Sequence, residues 1–201
     1  MNPPASTPRT TRLVLASTSP YRRKLLAQLH VPFDVAAPRV DETPLAGESA
    51  EALTLRLAIA KARSVAPAHP DALVIGSDQV AALDGEALSK PGSHDRAVAQ
   101  LRRMRGRRVE FVTALAVHCE ATAKTLARTV RYLVEFRDFS DRQMEDYLRA
   151  EQPYDCAGSA KADGLGIVLI RRMEGEDPSA LIGLPLIALV DLLAEHGFEL
   201  P

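Results

Sequence analysis

The chain has 201 residues, 46% of them hydrophobic, enough for one sizeable core and too few for two roomy domains. A formal net charge of −1 gives no global attraction to nucleic acid or to an anionic membrane, so any polyanion has to be gripped locally. The two cysteines, Cys119 and Cys156, supply neither a disulfide framework nor a four-thiolate zinc site, and they fit a reducing cytoplasm.

The opening MNPPASTPRTT carries no apolar stretch and reads as a short disordered tail over residues 1–11, which leaves 12–201 as a single domain. No apolar run approaches the ~20 residues of a membrane span. RLVLAS (Arg12 to Ser17) has strand length, and SPYRRKLLAQL follows at once as a helix with Ser19 at the N-cap and Pro20 at N1. FDVAA is a second strand. PRVDETPLAGE, with its prolines, glycine and acidic residues, is a loop of the kind that carries function. From Ser49 to Val65 the spacing of Leu53, Leu57 and Ala60 makes a helical apolar stripe with Lys61 on its flank.

ALVIGSDQVAAL is a strand whose apolar run is interrupted by Gly76, Ser77, Asp78 and Gln79. The expectation is that the strand breaks there, at a sheet edge, to hand Asp78 to a cleft, with Gly76 leaving room for a ligand or another backbone segment. LDGEALSK supplies an Asp-Gly turn into a partner strand ending at Lys90. SHDRAVAQLRRMRG is a helix closed by Gly106, and RRVEFVTALAVHC and TLARTVRYLVEFRDF pair as an antiparallel meander. SDRQMEDYLRAE opens with a Ser-x-x-Gln capping box, GIVLIRRMEG is a further strand, and PSALIGLPLIALVDLLAEHG is an apolar helix interrupted by Gly183 and Pro185. The fold class is α/β, or mixed α+β, with a twisted mixed sheet flanked by helices.

Phosphate-binding P-loops, dinucleotide fingerprints, zinc-protease motifs and nucleophile elbows are absent, and the five histidines show no ligand-like spacing. Carboxylates and cations remain in loops and at strand ends: Arg22, Arg23, Glu42, Lys61, Asp78 and Lys90. Hard carboxylates suit magnesium or manganese bridged to phosphate, and the cations neutralise what charge is left. Taken singly, the arginines read equally as solvating a helix, Glu42 as a loop acid, and Asp78 as a local hydrogen-bond acceptor. Cys156 lacks a histidine partner at an informative spacing, and the run from Arg102 to Arg108 lacks interleaved aromatics; they read as a small buried thiol and a solvated helix end.

LASTSPYRRKLL, VDETP, LAIAKA, VIGSDQV, SKPGS, CAGSAKADGLG and LIGLPL occur in that order. Together they make the chain similar to the Maf family of nucleoside triphosphate pyrophosphatases, also called septum-formation inhibitor-like proteins. The resemblance implies a bilobed, inosine-triphosphatase-like α/β fold with a deep cleft, often a homodimer. It also implies hydrolysis of a nucleoside triphosphate to the monophosphate and pyrophosphate with a divalent cation, Mg2+ or Mn2+. Carried over residue by residue, Asp78 is the general base and a metal ligand, Glu42 the other metal-binding acid with Asp41 its weaker rival, and Lys61 and Lys90 face the triphosphate. Ser17 with Arg22 or Arg23, at a helix N-terminus, binds the phosphates. Tyr21, Gln79 and Asp163 depart from the dTTP/UTP branch and resemble the branch acting on 7-methyl-GTP, although that branch more often carries an indole and a glutamate where this chain has Tyr21 and Asp163. An aromatic face and a carboxylate suit a purine made cationic at N7. The alternatives are a dTTP or UTP hydrolase of the same family and a non-catalytic nucleotide-binding regulator of cell division.

Overall fold

The computed structural model describes residues 12–88 and 90–200; the tail expected over 1–11 lies outside them. Strand β1 (Arg12–Ala16), helix α1 (Pro20–Ala27) and strand β2 (Phe33–Ala36) come first, then helix α2 (Ala50–Val65) and the hairpin β3 (Ala72–Leu83) and β4 (Glu86–Leu88). Helix α3 (His94–Met104), strands β5 (Arg108–Cys119) and β6 (Lys124–Phe136), helix α4 (Asp141–Glu151), strand β7 (Ile170–Glu174) and helix α5 (Leu186–Glu195) complete the chain. The strands form one mixed sheet in the order β2-β1-β3-β5-β6-β7, with β4 on β3. β1 runs parallel to β2 and β3, and the other pairs are antiparallel.

The helix starts follow from local chemistry. Ser19, Ser49 and Ser93 each accept the amide of the third residue on, and Ser140 forms the reciprocal capping box with Gln143, so each end satisfies an amide that the helix itself leaves free. The β3–β4 turn places Asp84 and Gly85 both at positive φ, 52° and 82°, as a two-residue hairpin with right-handed twist requires.

One face of the sheet takes α2. Ala58 and Ala62 meet Val14, Ala16, Val74, Ala114 and Ala116, and these small side chains let the helix lie close. The other face takes α1 and α5, whose Leu25, Leu26, Leu189, Leu192 and Leu193 pack on Leu13, Leu15, Leu73, Ile75 and Leu115. A separate cluster joins α3 and α4 to the far ends of β3, β5 and β6 through Leu101, Met104, Phe111, Phe136, Met144 and Leu148. Two groups of helices therefore share the long strands β3 and β5.

Three expectations change. β3 does not break at Gly76: it continues for 12 residues because β5 pairs with it from Leu73 to Ala82. What ends is the pairing on its other side, where β1 stops at Ile75 and β4 begins at Ala81. The stretch expected as one strand from Gly166 is a 3-10 turn, Leu165–Leu169, followed by β7. The Glu151 carboxylate binds both Lys161 Nζ and the Leu165 amide and so folds the preceding loop back on α4. The apolar C-terminal segment is a 3-10 turn (Pro178–Ile182), Gly183 at φ 116°, and then α5 with Pro185 at its N-cap.

Gly76 is required by the helix, not by a ligand. A Cβ there would stand 2.2 Å from Ala58 O and 2.7 Å from Ala62 N, so α2 would have to retreat from the sheet. Gly76→Ala is expected to lower the unfolding free energy by about 1–3 kcal/mol, the range for overpacking a well-packed core, measured by urea denaturation.

Candidate active site

Residues 76–80 of β3 have no strand partner on one side, and a cavity of about 690 Å³ opens there, lined from Ala16 to Arg22, by Glu42, Lys61, Asp78 and Gln79, and by Lys90. Its size falls within the range of small-molecule sites. Successive side chains of a strand point to opposite faces, and this stretch uses both. Gly76 and Asp78 face α2; Ser77 and Gln79 face the turn that leads to α5.

On the α2 face, Lys61 is 5% exposed and Asp78 7% exposed. The ammonium donates to Asp78 Oδ1 at 2.7 Å and forms an ion pair with Glu42 Oε1 at 2.9 Å. A buried lysine needs such partners to stay charged. The VDETP loop is held in place from outside the cleft: Glu48 grips Arg56 at 2.6 and 2.8 Å, and Arg56 also donates to Thr43 O. Arg56 draws the Glu48 carboxyl down to about 2. Asp41 accepts the Thr43 amide at 2.9 Å and does not line the cavity, so Glu42 is the acid that faces in.

At the head of α1, Ser17 is buried and accepts the Ser19 amide at 3.1 Å, while Ser19 takes the Arg22 amide. Pro20 has no amide to give. The helix start therefore offers fewer free amides than its position suggests, and the cation it brings to the cavity lining is the Arg22 guanidinium. Its Nε donates to Gly183 O at 2.8 Å, leaving the terminal amino groups for the cleft. Burial lowers its pKa, with Asp78 and Glu42 acting in the opposite direction. Arg23 is exposed and outside the lining, one position round the helix from the face that counts. Lys90, just beyond the end of β4, is exposed and borders the cavity.

A smaller recess adjoins the cleft and brings Tyr21, Gln79 and Asp163 together with Lys90, Asp155, Cys156 and Lys161. Lys161 and Asp155 were not singled out by sequence reasoning; Lys161 stands two positions before Asp163 in a segment whose fold is set by contacts distant in sequence. Lys161 Nζ lies 5.8 Å from the centre of the Tyr21 ring and pairs with Glu151 at 2.5 Å. The ring thus already borders one cation. Burial pushes the Tyr21 hydroxyl up to about 12 and the Cys156 thiol up to about 11. Gln79 is not a free reader of a base edge, because its Nε2 donates to Thr113 Oγ1, Ala180 O and Leu181 O at 2.9, 2.7 and 3.1 Å.

The arginines in the last turn of α3 and just after it are occupied elsewhere: Arg102 and Arg105 bind Asp141, Arg103 binds Glu86, and Arg107 binds Asp84. No group of three or more metal-type side chains occurs among the described residues. Glu42 and Asp78 are the carboxylates that could hold a divalent cation, as one or two acids commonly do for magnesium together with substrate phosphates.

A family model described as Maf-like protein matches residues 12–196. The 7-methyl-GTP pyrophosphatase of Methylobacillus flagellatus is 59% identical over 93% of this chain and 97% of its own. Proteins of the same name from Polaromonas sp. and Thiobacillus denitrificans are 56% and 57% identical over 98% and 93% of this chain and 90% and 93% of theirs. The Staphylococcus aureus Ham1 structure overlaps 64% of this chain and 73% of its own at 19% identity, with a TM-score of 0.47.

Only the thiolate of a cysteine is nucleophilic, so a thiol held near 11 is protonated at neutral pH. Alkylation of Cys156 by iodoacetamide at pH 8, followed by mass mapping, is expected on the order of a hundredfold slower than for a free thiol. The rate should climb about tenfold per pH unit as the medium approaches the thiol's own pKa.

Proposed function

The chain belongs to the Maf family, and from that premise we propose that it hydrolyses 7-methyl-GTP to 7-methyl-GMP and pyrophosphate, clearing a modified nucleotide before it enters nucleic acid. The observation that carries this reading is the buried ammonium of Lys61 shared by Asp78 and Glu42, at the mouth of a cleft that also gathers Arg22 and Lys90.

The triphosphate lies between Arg22, Lys61 and Lys90, where fixed cations offset charge as it develops on the leaving pyrophosphate. Asp78 orients a water toward the α-phosphorus and accepts its proton. Glu42 and Asp78 would hold Mg2+ or Mn2+, which when bound lowers the pKa of water and screens phosphate charge. Lys61 pairs with both acids while no substrate is present and moves to a phosphate oxygen when one arrives. Tyr21 and Asp163 border the recess where a positively charged purine gains both a π face and a carboxylate. Both cysteines are free thiols, as suits a cytoplasmic enzyme, and no helix among the described residues is long and apolar enough to cross a membrane.

The purified protein is expected to release pyrophosphate from 7-methyl-GTP with magnesium or manganese faster than from GTP, dTTP, UTP or CTP. Asp78→Asn should lower kcat by about 10²–10⁴, the usual worth of a general base. Turnover confined to dTTP or UTP would keep the reaction and remove the purine assignment. Nucleotide binding with no pyrophosphate from any of them would leave a non-catalytic regulator.

A further inference from the structure

Gln79 and Thr113 stand directly opposite each other on β3 and β5, on the sheet face turned toward Pro178–Ile182. Thr113 is fully buried. Its hydroxyl donates to Ala180 O at 2.9 Å, which spends its only hydrogen and leaves its lone pairs to accept. The two hydrogens of Gln79 Nε2 are shared among three partners, that oxygen and the carbonyls of Ala180 and Leu181. All three partners are acceptors. Turning the amide over would set Oε1 against two carbonyl oxygens about 3 Å away and leave Nε2 without these partners, a buried mismatch that proteins avoid.

The orientation of Gln79 is therefore determined by its surroundings: Nε2 is committed to β5 and the turn, which leaves the Oε1 carbonyl, an acceptor, as the end of the amide available to the recess that Gln79 lines with Tyr21 and Asp163. Asp163 adds a carboxylate, also an acceptor. Guanine carries two adjacent donors on its pairing edge, N1–H and the 2-amino group, whereas uracil and thymine carry one donor flanked by two acceptors.

We infer that Thr113 is a specificity-determining positioning residue: by accepting from Gln79 Nε2 while donating to Ala180 O, it holds the Gln79 carbonyl toward the base and makes the recess select a donor-rich edge. This rests on the base occupying the recess in the proposed function. Thr113 itself touches neither phosphate nor base, and it acts through Gln79.

The support for the lock comes from elsewhere in the chain. Asp177, 3% exposed, accepts the Ser179 amide and hydroxyl through Oδ1 and the Ile187 amide through Oδ2. It thereby fixes the turn whose carbonyls face Gln79. The same turn ends at Gly183, whose carbonyl accepts from Ser77 Oγ at 2.9 Å as well as from Arg22.

The test compares three nucleotides: 7-methyl-GTP, 7-methyl-ITP lacking the 2-amino group, and 1,7-dimethyl-GTP lacking N1–H. Each is measured as kcat/KM and, in the Asp78→Asn background, as Kd by calorimetry. The wild-type protein is expected to penalise at least one analogue by about tenfold or more, as loss of a hydrogen bond within a shaped site does. Thr113→Val, which keeps the shape and removes the hydroxyl, should reduce that penalty to less than about threefold, and Thr113→Ser should restore it. A merely structural role for Thr113 would weaken all three nucleotides alike and leave their ratios unchanged. The proposal is overturned if wild type penalises neither analogue, or if the penalty survives in Thr113→Val. Absence of hydrolysis with the Kd ratios behaving as stated would overturn the proposed reaction and leave the Thr113 assignment standing.

Discussion

The site depends on a gap in a hydrogen-bonded sheet. Five residues of β3, 76–80, are held from one side by β5 while β1 ends before them and β4 starts after them. A strand with one side free cannot collapse as a loop can, because the remaining ladder fixes its twist and its alternation of faces. Open sheets bind ligands where neighbouring strands diverge for the same reason. Here the divergence comes from β1 being parallel to β3 and β4 being antiparallel to it, so the two partners approach from opposite ends and leave the middle uncovered.

The electrostatics follow from that gap. Asp78 is placed by the strand, Lys61 by α2 and Glu42 by a loop, and the three meet only because α2 lies unusually close to the sheet. Alanines on both sides and Gly76 beneath Ala58 and Ala62 set that distance. Bulkier residues would strengthen the core by area and would lift Lys61 away from Asp78. Burying Lys61 and Asp78 together is costly unless each is paired, and the exposed Glu42 gives Lys61 a second partner from the rim of the cleft.

Much of this was legible in the sequence where the physics is local. Serine caps and the Asp-Gly turn are decided by neighbours a few residues apart, and the structure has them as read, together with the antiparallel pairing of β5 and β6. The cleft residues Ser17, Tyr21, Arg22, Glu42, Lys61, Asp78, Gln79, Lys90 and Asp163 do converge, and ordered motifs pointed to most of them. What sequence could not give was pairing. It read polar residues within β3 as a break in the strand, whereas the chain runs on and the neighbouring strands give way. It left Arg22 and Arg23 as alternatives because adjacent helix positions differ only in the direction they face, and Gly183, 161 residues on from Arg22, decides between them. Thr113 and Lys161 were invisible for the same reason: a threonine in an apolar strand and a lysine in a glycine-flanked loop acquire meaning only from partners distant in sequence.

The two faces of one strand also separate two tasks. Asp78, with Lys61 and Glu42, handles charge on the α2 face; Gln79, with Thr113 and the Pro178–Ile182 turn, is fixed on the other. Because alternate residues of a strand do not touch each other's surroundings, the partners of Gln79 can change without disturbing those of Asp78. Gly183 is the exception. Its carbonyl accepts from Arg22 on α1 and shares with Ala114 O the single hydroxyl hydrogen of Ser77, so the turn beside Gln79 also anchors Arg22. A shift of that turn would move Gln79 and Arg22 together, and a change at Thr113 reaches the same turn through Ala180 O as well as Gln79. On the proposed reading of the recess, the partners of Gln79 on β5 and in the turn are the positions from which the base side of the site is set.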